Sequence, residues 1–129
     1  MKYNVFVVDD EPQIRTKIIE VLRNQVDLEI EVTEAGDGAI ALELATKAEQ
    51  VDLFIVDYNM PNTNGLEAVQ KIVEMDRFHK SSIFFYTTET NPELVAKAKA
   101  LAPKSQWVIK PLKPEPFAKA VTLTLQLAS

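Results

Sequence analysis

Residues 51–65 read VDLFIVDYNMPNTNG. A mostly apolar run from Val51 to Val56, broken only by Asp52, stops abruptly on Asp57, and a turn segment of Asn59, Pro61, Asn62, Asn64 and Gly65 follows at once. The run is rich in β-branched and aromatic residues and too short for a helix, so it predicts a strand buried on both faces. Asp57 then stands at the carboxyl end of that strand, the edge on which open α/β sheets place their ligands. By itself such a carboxylate is either a loop-capping acid or a reactive group. The rest of the chain bears on that choice.

Before this strand, Tyr3 to Val8 (YNVFVV) is another near-continuous apolar run, and it ends on Asp9, Asp10 and Glu11. Pro12 suits the first turn of a helix, where a missing N–H costs nothing. Ile14, Ile18, Val21 and Leu22 follow at helical spacing, with Arg15, Lys17 and Arg23 on the opposite side. Leu28 to Glu34 alternates apolar and acidic residues, which predicts an edge strand with one exposed face. The Gly36-Asp37-Gly38 turn leads into a second helix with Ile40, Leu44, Ala45 and Ala48 on its buried stripe.

After the central strand, Asn64-Gly65 opens a third helix in which Leu66, Val69, Ile72 and Val73 face inward. Ile83 to Tyr86 is a fourth strand running into Thr87, Thr88 and Glu89. Asn91-Pro92-Glu93 has the form of a capped helix start. That helix carries Leu94, Val95, Ala98 and Leu101 and stops at Pro103, before a short fifth strand, Trp107 to Ile109, that ends on Lys110-Pro111. Glu115 to Ala128 fits two patterns. Val121, Leu123, Leu125 and Leu127 alternate as in a strand, whereas Phe117, Val121, Leu125 and Ala128 form a helical stripe. The strict strand–helix alternation before it decides for helix. Leu123 and Leu127 should then be at least partly exposed, near Lys119 and Thr124.

Five strand–helix units imply an α/β fold, a doubly wound five-stranded parallel sheet with helices on both faces. A chain of 129 residues accommodates one domain, taken as residues 1–129. Its 47% hydrophobic and 26% charged content is that of a soluble globular protein. There is no apolar run near membrane-spanning length and no signal-peptide pattern. The absence of Cys excludes disulfides, thiol catalysis and Cys-based zinc sites, and agrees with a cytoplasmic setting. A net charge of −5 with no basic stripe argues against direct nucleic-acid binding. His79, in a polar stretch, reads as a solvated loop residue.

In a parallel sheet the carboxyl ends share one edge, so Asp9, Asp10, Asp57, Thr87, Thr88 and Lys110 converge. Three crowded carboxylates repel unless a cation or protons intervene. All-oxygen ligands suit a hard cation, and Mg²⁺ is held by one or two carboxylates, waters and phosphate. An ammonium and a hydroxyl across the site are what a transferring phosphoryl group needs. One carboxylate is then the nucleophile of an aspartyl phosphate.

DDEP at 9–12, DYNMPNTNG at 57–65, a Thr ending the fourth strand and Lys-Pro ending the fifth resemble the receiver domain of two-component response regulators. The resemblance covers the whole chain in order and spacing. It implies the flavodoxin-like (CheY-like) three-layer α/β/α sandwich with strand order 2-1-3-4-5, which the residue pattern leaves open. It implies Asp57 as phosphoacceptor from a sensor histidine kinase or phosphotransfer protein. Mg²⁺ would be bound by Asp10, Asp57 and the backbone carbonyl of Asn59, with Asp9 acting through water. Lys110 would pair with the phosphoryl group, Thr87 would move to hydrogen-bond it, and Trp107 would be the switch aromatic. Lys110-Pro111 would be cis. Asn59 and Glu89 would tune the phosphoryl lifetime to seconds or minutes. The surface of the fourth helix, fifth strand and fifth helix would meet a downstream protein, in a monomer with a phosphorylation-dependent dimer as a further state.

Thr88, Leu112 and the lack of Gly in residues 100–106 depart from the family's common pattern. The initial Met1 suggests a natural start, and an end at Ser129 fits either a stand-alone regulator or a receiver from a longer protein. Other classes fit less well. An aspartyl phosphatase wants an Asp where Asn59 stands, and a flavin site would be repelled by Asp9, Asp10 and Glu11. A phosphorylation-independent adaptor would keep the fold without needing the acids, Thr and Lys.

Overall fold

The computed structural model describes residues 2–58, 65–75, 81–88, 90–102 and 105–128. Strands and helices alternate in the order β1 (Lys2–Val8), α1 (Pro12–Gln25), β2 (Glu29–Ala35), α2 (Gly38–Lys47), β3 (Leu53–Asp57), α3 (Gly65–Val73), β4 (Ser82–Thr87), α4 (Pro92–Leu101), β5 (Gln106–Ile109) and α5 (Pro114–Ala128). The final segment is a helix, as the alternation predicts. All strand pairs are parallel, and the sheet order is β2-β1-β3-β4-β5.

β1, β3 and β4 are central and apolar on both faces because helices cover each side. The pleat sends alternate residues to two separate cores. Phe6, Val8, Phe54, Val56 and Phe85 pack with the helices α2 to α4. Val5, Val7, Leu53, Ile55, Phe84 and Tyr86 pack with α1 and α5. Phe54, Phe84 and Phe85 are fully buried, each contributing roughly 2–3 kcal/mol by leaving water. At the edge, β2 shows Glu29, Glu31 and Glu34 to solvent, charges that discourage a further strand from adding there.

Local chemistry explains the boundaries. Asp52, the one break in the central apolar run, lies just before β3. Its carboxylate accepts from the Asn4 backbone N–H at 2.8 Å and from the Gln50 side-chain amide at 2.8 Å. The Asp37 carboxylate accepts from Ile40 N–H at 2.8 Å and caps α2. The Asn91 side chain accepts from Glu93 N–H at 2.9 Å and caps α4, with Pro92 in the first turn. The Lys110-Pro111 peptide is cis.

Two expectations about helix faces need correction. Ile40 is 44% exposed, and its place on the core side of α2 is taken by Ala41, beside the expected Ala45. Small residues there let α2 lie close to the sheet, which turns the larger Ile40 outward. Arg15 is not on a purely solvated face: its guanidinium donates to the Asp9 carbonyl at 2.6 Å and to the Glu34 carboxylate at 3.1 Å. On α3, Val69 and Ile72 are buried as expected, while the side chains of Leu66 and Val73 lie outside the described set. Phe117, Val121 and Leu125 line the buried stripe of α5, and Leu123 and Leu127 are 60% and 78% exposed.

Candidate functional site

The register of the central strands assembles the site. Val8 faces Val56, and Asp57 faces Tyr86, which in turn faces Val108. Asp9 extends β1 by one residue, its N–H donating to Ala35 O at 3.1 Å, and so comes beside Asp57. Lys110 extends β5, its N–H donating to Thr87 O at 2.9 Å. Residues 9, 57, 86 and 110 share the pleat parity of the α1/α5 core. Thr87 has the opposite parity, together with Phe85 and Trp107.

Asp9 is 1% exposed and Asp57 4%, whereas Asp10 is exposed. Carboxylate oxygens of all three lie within 4.8 Å of one another. Lys110 Nζ stands 3.4 Å from Asp57 Oδ2 and 3.8 Å from Asp9 Oδ2. Asp9 Oδ1 accepts from Glu11 N–H at 2.8 Å. Asp9 Oδ2 is buried and has no hydrogen-bond partner among the described residues. The lysine is too distant for a hydrogen bond to that oxygen, so it offers charge without direct satisfaction.

Burial raises the Asp9 carboxyl from 3.8 to about 6. The neighbouring Asp57 and Asp10 charges push the same way, against the opposing Glu11 hydrogen bond and the Lys110 charge. A buried carboxylate oxygen lacking a donor, in a group of three acids, fits a hard divalent cation. Asp9, Asp10 and Asp57 are the described residues that could hold it. Asn59 and Glu89 lie outside the described residues, as does His79.

Thr87 is fully buried at the end of β4. Trp107, half-buried on the neighbouring strand, packs its ring 5.5 Å from Phe85 and 5.6 Å from Tyr58. Since Tyr58 directly follows Asp57, the Trp107 ring is one residue removed from the acid. Two residues of the site escaped the sequence reading. Arg15 ties the Asp9 backbone to the edge strand. Tyr86 lies in the acid row with its ring 5.0 Å from Lys110 Nζ. The signal for Tyr86 was a phenol in the last inward position of an otherwise apolar strand.

The sequence pattern of the response regulator receiver domain matches residues 5–122, and the chain belongs to that family. It is a CheY-like receiver of two-component signalling. A chemotaxis protein CheY homolog of Campylobacter jejuni is 34% identical over 112 residues, covering 86% of this chain and 83% of that protein. The structure of the Vibrio cholerae chemotaxis protein CheY4 superposes with a TM-score of 0.84 at 33% identity, covering 96% of this chain and 99% of that one. A receiver domain of an HD-domain protein from Pseudomonas fluorescens gives 0.87 at 21% identity, covering 99% and 98%, a likeness of fold.

Proposed function

We propose that this chain is a phosphoacceptor: Asp57 takes a phosphoryl group from the phosphohistidine of a sensor histidine kinase or phosphotransfer protein. The observation that carries this reading is the Lys110 ammonium within ion-pair distance of both buried acids, beside an Asp9 oxygen that lacks a donor. An Asp57 oxygen attacks phosphorus, the O–P bond forms, and the N–P bond breaks with its electron pair leaving on imidazole, which takes a proton. Lys110 balances charge on the phosphoryl oxygens. A Mg²⁺ ion held by Asp10, Asp57 and the Asn59 carbonyl, and by Asp9 through water, would neutralise the carboxylates against the incoming anion.

Thr87 then draws toward the phosphoryl group, and Trp107, packed over its strand neighbour Phe85, shifts into the space released. A local contact biasing a two-state element is what a switch requires. The surface of α4, β5 and α5, including the exposed Leu123 and Leu127 of α5, is where a downstream protein or a second phosphorylated copy binds. The setting is cytoplasmic. No helix among the described residues is long and apolar enough to cross a membrane.

The test is incubation with acetyl phosphate and Mg²⁺. Wild type should take up one acid-stable, base-labile phosphoryl group per chain, and Asp57→Asn, nearly isosteric, should take up none while keeping its far-UV circular dichroism. Label retained by that variant would move the acceptor elsewhere. With Asn59 two residues after Asp57 and Glu89 two after Thr87 in the sequence, the label should decay in seconds to minutes, and persistence for many hours at neutral pH would contradict that part.

A further inference from the structure

Lysine is a flexible point charge on a four-carbon stem, so something must hold the Lys110 ammonium toward the acids. The acids themselves attract it, yet at 3.4 and 3.8 Å neither fixes its direction closely. Tyr86 lies opposite Asp57 in the sheet register and is buried. The Lys110 Nζ stands 5.0 Å from the centre of its ring, within range of a cation–π attraction. Beyond Lys110 the chain turns through Pro111 to Leu112, whose backbone N–H donates to the Tyr86 hydroxyl oxygen. One side chain therefore touches the lysine head and the segment that carries it.

We propose that Tyr86 is a positioning residue, with its ring face steering the Lys110 ammonium toward Asp57 and its hydroxyl pinning the chain at Leu112. Both contacts border a cleft of about 640 Å³ between α1 and the start of α5, lined by Ile14, Val21, Tyr86, Lys110, Leu112 and Pro114. A loose Lys110 would have that space to enter. This proposal refines the phosphoacceptor reading, but its geometric part is readable without any phosphoryl group.

The test separates ring from hydroxyl. Tyr86→Phe keeps the ring and removes the oxygen, whereas Tyr86→Leu removes both. In ¹³C-labelled protein the Lys110 ε-methylene proton signal, assigned by its loss in Lys110→Ala, should be shifted upfield by the ring in wild type and Tyr86→Phe. It should return to the ordinary lysine position in Tyr86→Leu. The Leu112 amide signal should move in both variants. Beryllofluoride affinity with Mg²⁺ should fall about tenfold in Tyr86→Leu and no more than about threefold in Tyr86→Phe, the scale expected from losing or keeping a partly exposed cation–π contact.

A wild-type Lys110 signal at the ordinary lysine position overturns the proposal, as does Tyr86→Leu with wild-type beryllofluoride affinity. A purely structural Tyr86 would lower melting temperature in both variants without moving the Lys110 signal between them. Failure of wild type to take phosphate from acetyl phosphate would instead remove the phosphoacceptor reading and leave the resonance test to decide the geometry.

Discussion

The last two residues of β4 face opposite sides of the same sheet and enter different environments. Tyr86 joins Asp9, Asp57 and Lys110 on the α1/α5 side, where buried acids stand side by side and one Asp9 oxygen has no hydrogen-bond partner among the described residues. Thr87 has the parity of Phe85 and Trp107 on the α4 side, where neutral groups pack closely. The first region is where protons and cations would act, because burial makes charge costly. The second would respond to shape, because close-packed interiors rearrange between discrete states. A phosphoryl group at Asp57 would act on the first electrostatically and on the second by drawing on Thr87.

The largest expected difference between these regions is in pH dependence. The Asp9 carboxyl is raised in the folded state, so the native protein binds more protons than the unfolded chain between 3.8 and about 6. Its contribution to stability is therefore best below 3.8, falls as pH rises through that window, and is worst above 6. Asp9→Asn should accordingly stabilise the cation-free protein by about 2–3 kcal/mol at pH 7 and by little near pH 3.5. Urea titrations at the two pH values check this. Added Mg²⁺ should stabilise wild type far more than the variant. Equal effects of the substitution at both pH values would mean that Asp9 carries no charge burden.

Thr87→Ala probes the other face and should behave differently. Losing a buried hydroxyl is expected to cost about 1–2 kcal/mol, nearly unchanged between pH 4 and 7. A strong pH dependence would mean that the two faces are one electrostatic unit. Trp107 gives an optical reading of the same face, since it is the only Trp in the chain. Its emission should shift when Mg²⁺ and beryllofluoride bind, and Thr87→Ala should blunt that shift. An unchanged spectrum with the mimic demonstrably bound would make Trp107 a fixed packing residue.

The smallest stability effects should come from exposed apolar residues. Ile40→Ala and Leu123→Glu should each stay within about 0.5 kcal/mol of wild type. Leu123→Glu should nevertheless weaken partner binding or phosphorylation-dependent dimerisation if α5 is an interface. A strictly monomeric phosphorylated form, with partner binding unaffected by that change, would reduce Leu123 to an ordinary surface residue.

Much of this arrangement was legible in the chain. The apolar runs ending on Asp9, Asp57, Thr87 and Lys110 marked strands whose carboxyl ends must converge in a parallel sheet. Periodicity worked because it records how residues within one element divide between core and solvent. It misassigned Ile40 because Ala41, one position on, also lines up with the buried Ala45 on α2, and the small size of both lets that helix approach the sheet. It assigned Arg15 to solvent because a helical pattern alone does not reveal a carbonyl at the end of the preceding strand.

Strand identity, element order, the parallel class and the row of acids were thus determined by the amino-acid sequence through local pattern and connection rules. Strand order came from likeness to a family rather than from any residue. Only the tertiary structure decided that Asp9 is buried while its neighbour Asp10 is exposed. It also decided that Lys110 meets both buried acids and that Tyr86 reaches its ammonium and the Leu112 amide. Desolvation and ion-pair distance depend on groups brought together from separate strands, and no pattern within one strand contains that information.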